Sequence, residues 1–248
     1  MIQNFIRTVL YKICFFIFSA IFLICSFWIM FLPQRIINIY LKKVYFNTVQ
    51  FLMAKILKLK IEVKGEHRLH QMEKKYGCFL AVSKHQSSIE TVFYPKLFKK
   101  YPVFVHKKEL LYIPFWGQYM WKMGMIAIDR SSRISAIKTI VKKARITKEQ
   151  KRPIIIFPEG TRTPIGKHNK YQSGFYSIYK DLNVPILPIA LNTGIYWDKK
   201  QFIKRPGTMT ISILPMIEPG KNKKELMQLI EKTIENETNR LCKTTKES

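Results

Sequence analysis

The sequence predicts an α/β protein: a mostly parallel mixed sheet flanked by helices, preceded by two N-terminal membrane-associated helices. Three observations predict it. From Ile61 onward, short runs rich in Ile, Val and Phe alternate with segments of helical period. The short runs are almost continuously apolar, as in strands buried on both faces of a parallel sheet. Before residue 60 the texture is different, with an uncharged 20-residue stretch, Ile13 to Leu32, and then a basic amphipathic one. The 248 residues therefore divide into a membrane-anchoring segment, 1–60, and an α/β domain, 61–248.

Ile13 to Leu32 has the length of a membrane span, and Pro33 ends it. Its apolar core is too long for a cleaved signal, and Cys25-Ser26-Phe27-Trp28 is not a small-residue cleavage site. Trp28 sits near one end, where an interfacial anchor belongs. Ile36 to Leu59 places Ile37, Leu41, Val44, Phe51 and Ile56 at helical spacing beside Lys42, Lys43 and Lys55. That pattern suits a helix lying on the interface, and equally one packed on the domain. Seven cations from Arg35 to Lys64 follow the uncharged run, which favours a cytoplasmic face at the inner membrane.

In the domain, strands are expected near Ile61–Val63, Cys78–Val82, Val103–Val105, Met125–Ile128, Ile154–Phe157, Ile186–Leu191 and Thr208–Leu214. Helices are expected near Ile89–Lys99, Glu109–Met123, Ser135–Thr147, Tyr171–Lys180 and Lys223–Leu241. Pro95 should kink or shorten the first of these. In the third, Ile134, Ile137, Val141 and Ala144 form an apolar stripe.

A net charge of +27 implies an anionic partner: nucleic acid, an anionic membrane or a phosphorylated substrate. The four cysteines form no C-x-x-C pair, so neither a zinc site nor a disulfide framework is legible. Gly160 to Lys167 does not make a P-loop. Five residues separate Gly160 from Gly166 where that motif has four, and His168 stands where the magnesium-binding hydroxyl belongs. His85 has no companion at metal-ligand spacing, and no metal is expected.

What remains is a set of polar residues at strand ends, where open α/β sheets place their chemistry. His85 and Glu90 are five apart; within one helix they would lie roughly 140° apart. They meet if His85 lies in the loop after a strand and Glu90 in the first turn of the next helix, capped by Ser87 or Ser88. A carboxylate on one ring nitrogen frees the other to take a proton. Phe157-Pro158-Glu159-Gly160-Thr161-Arg162 ends another strand, and its Arg162 suits phosphate binding. Lys107 and the Asp129–Arg130 pair end two more. A histidine ringed by three cations describes a site for an anionic, phosphorylated substrate.

These motifs resemble the glycerophospholipid acyltransferase family, most closely its members acting on 1-acyl-sn-glycerol-3-phosphate. His85 to Glu90 is similar to that family's H-x4-D, with Glu in place of the commoner Asp. Gly124 to Arg130 resembles its G-x-x-x-I-D-R block, Phe157 to Arg162 its F-P-E-G-T-R block, and Val184 to Ala190 its proline-rich last block. The resemblance implies that His85, oriented by Glu90, deprotonates the sn-2 hydroxyl of lysophosphatidic acid. The alkoxide then attacks acyl-CoA or acyl-carrier protein, giving phosphatidic acid. It implies phosphate contacts from Lys107, Arg130 and Arg162, and a supporting role for Gly124, Asp129, Pro158, Glu159, Gly160 and Thr161. Backbone amides near the helix start would stabilise the oxyanion. No tightly bound cofactor is expected, the partners are membrane lipids and the two substrates, and no nucleic acid is expected. Open alternatives are another lyso-lipid or glycerol-3-phosphate as acceptor, and a non-catalytic basic membrane- or nucleic-acid-binding protein.

Overall fold

A computed structural model describes residues 1–129, 131 and 133–247. Among these, seven strands form one sheet: β1 (Leu59–Lys64), β2 (Leu80–Ser83), β3 (Val103–Lys107), β4 (Ile126–Ile128), β5 (Ile154–Ile156), β6 (Ile186–Leu191) and β7 (Gly207–Ile213). Their order across the sheet is β1-β7-β6-β2-β5-β3-β4. All neighbouring pairs are parallel except β6 with β7, so the expected mostly parallel mixed sheet is observed. β2 lies in the middle, with Val82 opposite Ile156 of β5 and Pro188 of β6.

Alternation along the strands feeds two cores. Ala81, Ile155, Leu187 and Ile189 join one cluster, while Leu80, Val82, Ile154 and Ile186 join the other. Both faces of the central strands are covered, which is why β2, β5 and β6 read as nearly unbroken apolar runs, whereas the edge strand β1 alternates with exposed charges. The first face is covered by the N-terminal helices, by α4 (Glu66–Lys75), by α5 (Glu90–Leu97) and by α6 (Trp116–Lys122). The second is covered by α8 (Gly174–Leu182) and α9 (Lys223–Glu247), with α7 (Arg133–Glu149) packed beside α8.

Three expectations are corrected. α4 falls where no helix is expected; half of its residues are charged, and it buries only Leu69 and Met72. The helix expected over Glu109–Met123 is interrupted. A 3₁₀ turn, Lys108–Tyr112, is separated from α6 by Ile113, Pro114 and a Phe115 held at φ 60°. Proline supplies no amide hydrogen to continue the ladder.

The third correction concerns the N-terminus. Among the described residues, one helix is long and apolar enough to cross a membrane, α1 (Ile2–Cys25), not two. It ends before Leu32 because Phe27–Phe31 turns as a 3₁₀ segment. Residues 34–57 run on from α2 (Gln34–Tyr40) through a π turn to α3 (Asn47–Leu52) and a second π turn. They bury Ile37, Leu41, Tyr45, Val49, Met53 and Leu57 against the domain, while Arg35, Lys42, Lys43 and Lys55 punctuate the rest. Packing on the domain therefore accounts for Ile37 and Leu41 of the expected stripe, while Val44 and Phe51 stay exposed.

α1 is apolar on both sides. Toward the protein it buries Tyr11 and Phe22 and is tied by polar contacts: the Lys204 amide donates to the Thr8 hydroxyl at 2.9 Å, Ser19 bonds the Tyr45 hydroxyl at 3.0 Å, and Ser26, just past its end, bonds the Tyr119 hydroxyl at 3.0 Å. Its other face exposes Phe5, Ile6, Ile13, Phe16, Ile17, Ile21 and Ile24.

Candidate active site

The carboxyl ends of β6, β2 and β5 meet at one place. β2 runs directly into His85, β5 into Phe157 and Glu159, and β6 into Asn192 and Thr193. His85 Nδ1 lies 2.5 Å from Glu90 Oε2. Glu90 opens α5 and is fully buried, and the loop between them has the form the spacing requires.

An ionised carboxylate only accepts hydrogen bonds, so the ring proton sits on Nδ1, and Nε2 is left as the acceptor. Glu90 is saturated. Its Oε1 takes the amides of Gln86 and Ser87 at 2.9 and 2.7 Å and the Thr193 hydroxyl at 2.6 Å. The His85 ring stacks on Phe157, with centroids 4.0 Å apart and planes 18° apart. Ring position and tautomer are thus both fixed, and the side chain keeps 16% of its surface open.

This geometry corrects one detail. The residue before α5 is Ile89, and neither serine caps the helix; Ser87 Oγ instead accepts from the Ile89 amide at 3.2 Å. The amides of Gln86 and Ser87 are engaged by Glu90.

Glu159 belongs to the same unit. It is 5% exposed, and its Oε2 accepts from the His85 amide at 2.8 Å. Its Oε1 pairs with Lys84 Nζ at 2.7 Å, and Lys84 in turn reaches Glu235 Oε1 at 2.7 Å. Burial pushes the Glu159 carboxyl up, and the Lys84 ammonium opposes that push. Pro158 is buried behind it. Gly160 turns the chain at φ 68°, a region costly for any residue with a Cβ. The Thr163 amide donates to the His85 carbonyl at 2.8 Å, which holds the whole Phe157–Arg162 loop against the histidine. Thr161 is exposed and Arg162 is half-buried beside it.

The expected cations divide. Arg162 is brought next to the histidine loop. Lys107 ends β3, two strands from β2, with its side chain exposed. Arg130 lies outside the described residues. Asp129 pairs with Lys108 and takes the Ser131 amide and hydroxyl at 2.9 and 2.6 Å; these contacts hold its carboxyl well below the usual range. Gly124, at φ 74°, brings the backbone so close to Gln34 Nε2 that a Cβ would sit 2.5 Å from it. It thus joins the block to the N-terminal helices rather than to the dyad.

Sequence reasoning missed Thr193, Lys84, Glu235 and two cations, Lys12 and Lys204. Lys12 stands 3.5 Å over the Phe202 ring, one turn from Thr8 on α1. Lys204 Nζ caps the Asp198 and Gln201 carbonyls. Burial pulls its ammonium below the ordinary lysine value, and repulsion from Lys12 and Arg162 adds to the effect. The one local signal was Lys84, a charge at the end of a buried strand.

Comparison with known proteins bears on what this arrangement is. The acyltransferase family model matches residues 60–192. The 1-acyl-sn-glycerol-3-phosphate acyltransferase of Pseudomonas aeruginosa is 37% identical over 157 residues, 63% of this chain and 59% of that protein. The Escherichia coli protein of the same name is 32% identical over 131 residues, 53% of this chain and 54% of that one. The match thus spans little more than half the length of these relatives. The crystal structure of the 1-acyl-sn-glycerophosphate (LPA) acyltransferase PlsC from Thermotoga maritima shares the fold at 22% identity, with a TM-score of 0.77 over 96% of this chain and 97% of that one. The family match covers the histidine dyad and the Phe157–Arg162 loop together with the strands that carry them, and the chain belongs to the acyltransferase family.

Proposed function

We propose that this protein is a membrane-bound 1-acylglycerol-3-phosphate acyltransferase that moves a fatty acyl group from acyl-CoA or acyl-carrier protein to the sn-2 hydroxyl of lysophosphatidic acid. The observation that carries the reading is the dyad: a partly exposed histidine whose Nδ1 is locked to a saturated, fully buried carboxylate. In this reaction His85 Nε2 takes the hydroxyl proton as the oxygen attacks the thioester carbonyl. The new ester C–O bond forms, the C–S bond breaks, and the thiol leaves with the proton returned by His85. Phosphatidic acid is the product. Arg162, with Arg130 and Lys107, holds the acceptor phosphate, and the guanidinium fork suits it. The names of the relatives support the same acceptor.

The membrane is engaged from one leaflet, on the cytoplasmic face. What supports this is that α1 is tied to the domain along its length, through Thr8, Ser19 and Ser26, while its free face is apolar. A helix of 24 residues is about 36 Å long, so carrying Thr8 across a bilayer would carry the Lys204 loop with it. The acceptor's acyl chain then stays in lipid while its hydroxyl reaches His85.

The test is thiol release from acyl-CoA and acyl-carrier protein by the purified protein on vesicles, with lysophosphatidic acid, another lyso-lipid or glycerol-3-phosphate as acceptor. Release that depends on lysophosphatidic acid is expected. Release that depends on another acceptor would replace the substrate, and nucleic-acid binding without any release would replace the reading.

A further inference from the structure

The middle of α9 carries a partly buried charged cluster. Lys84 is 2% exposed and lies between two carboxylates, Glu159 and Glu235, each 2.7 Å from its ammonium. The Tyr171 hydroxyl donates to the same Glu235 oxygen at 2.9 Å. One turn before Glu235, Glu231 pairs with His168 at 2.7 Å, and His168 stacks on Tyr171. Taking such charges out of water is costly, and apolar side chains of similar volume commonly serve stability as well or better. α9 covers the sheet with a separate buried stripe, Leu226, Ile230 and Ile234, and Glu231 and Glu235 flank that stripe.

The charges are aimed at the histidine. Lys84 immediately precedes His85, and the second oxygen of Glu159 holds the His85 amide at 2.8 Å. A second line from α9 ends on the other dyad member. Asn192 Nδ2 donates to Thr245 Oγ1 at 2.9 Å, and the neighbouring Thr193 donates to Glu90 at 2.6 Å. Glu235 and Thr245 both lie beyond residue 192, where the family match ends.

We propose that Glu235 is a positioning residue for the acyl transfer, fixing the backbone of the base His85 through Lys84 and Glu159. α9 is then a strut of the site and not only a cover for the sheet. This rests on the reading of His85 as the base, and the test separates the two.

The variants are Glu235→Leu, which removes the acceptor, and Glu235→Gln, whose amide oxygen still accepts from Lys84 and Tyr171. In Glu235→Leu, kcat per folded molecule is expected to fall about 10- to 100-fold, as small misplacements of a reacting group do, with KM for acceptor and donor unchanged. Amide hydrogen exchange over residues 84–87 should speed up in the same variant. Glu235→Gln should keep most of both properties. A purely structural role would lower the melting temperature and leave kcat and the exchange of 84–87 alone, and that result overturns the proposal. Should Glu235→Leu not fold, exchange in the wild-type protein decides. The 84–87 amides and the centre of α9 are expected to open as one unit; opening of 84–87 while α9 stays closed overturns the coupling. The exchange readout needs no turnover, so it stands even if lysophosphatidic acid proves not to be the acceptor.

Discussion

The proposed base and the proposed phosphate-binding cations are built in opposite ways. Glu90 has no exposed surface and every oxygen engaged, and His85 is stacked and tethered through its ring, its amide and its carbonyl. Lys107 is exposed, and Arg162 is half-buried on a turn. On the proposed reading a proton is taken along one direction, which suits a base fixed before substrate arrives. A phosphate is a large, symmetric anion that several arrangements of cations can hold, which suits a grip that adjusts. Rigidity is concentrated where angular error is costly.

That contrast is broken most severely at the dyad. His85→Ala should lower kcat about 10²- to 10⁴-fold with the fold intact. Glu90→Gln should fall nearly as far, although it is almost isosteric. The amides of Gln86 and Ser87 and the Thr193 hydroxyl all require an acceptor at Oε1. The Gln amide nitrogen is therefore turned toward His85 Nδ1. That nitrogen must then accept, the ring proton moves to Nε2, and the base is lost by tautomer rather than by removal. Glu90→Asp keeps the charge and should retain far more activity. Near-normal turnover in Glu90→Gln would show that the tautomer is not held by Glu90.

How much of this was legible follows the same division. The strands could be read because both faces are buried, so β2, β5 and β6 appear as apolar runs with their polar residues displaced to the ends. The dyad could be read because its members are five residues apart, and the turn that joins them is local. α4 was not legible, since two buried residues in ten make no stripe. α7 buries Ala136, Ile140, Ala144 and Thr147, while Ile137 and Val141 of the expected stripe are half-buried and the Ile134 side chain lies outside the described residues. Thr193 and Glu235 reach the site from 103 and 151 residues away from their partners Glu90 and Lys84, and no local pattern encodes such a contact. The second N-terminal helix was ambiguous for a physical reason: one apolar stripe fits a bilayer and a protein core alike.

Arg162 is the intermediate case. Arg162→Lys keeps the charge and loses the fork, so acceptor kcat/KM should fall about 10-fold, the worth of one charge-assisted hydrogen bond. The acyl donor's KM should stay constant. A change confined to the donor would move Arg162 to the other substrate.

The smallest effect is expected at Lys107, and it sharpens the comparison most. Its side chain is exposed at the end of β3, two strands from the histidine. An exposed cation acts on a phosphate through solvent and contributes about 1 kcal/mol or less. Lys107→Ala should therefore raise the acceptor's KM by no more than about five-fold and leave kcat unchanged. Salt separates the two halves of the site. At about 1 M ionic strength the screening length shrinks to roughly 3 Å, so the difference between Lys107→Ala and wild type should vanish. The deficits of His85→Ala and Glu90→Gln are set by buried hydrogen bonds and should persist unchanged in the same buffer. Steady-state kinetics on detergent-dispersed lysophosphatidic acid at low and high salt makes the measurement without changes in vesicle binding. A large loss in Lys107→Ala that survives high salt would mean that the lysine touches the phosphate directly, and that the cationic half of the site closes around its substrate as tightly as the dyad is closed before it.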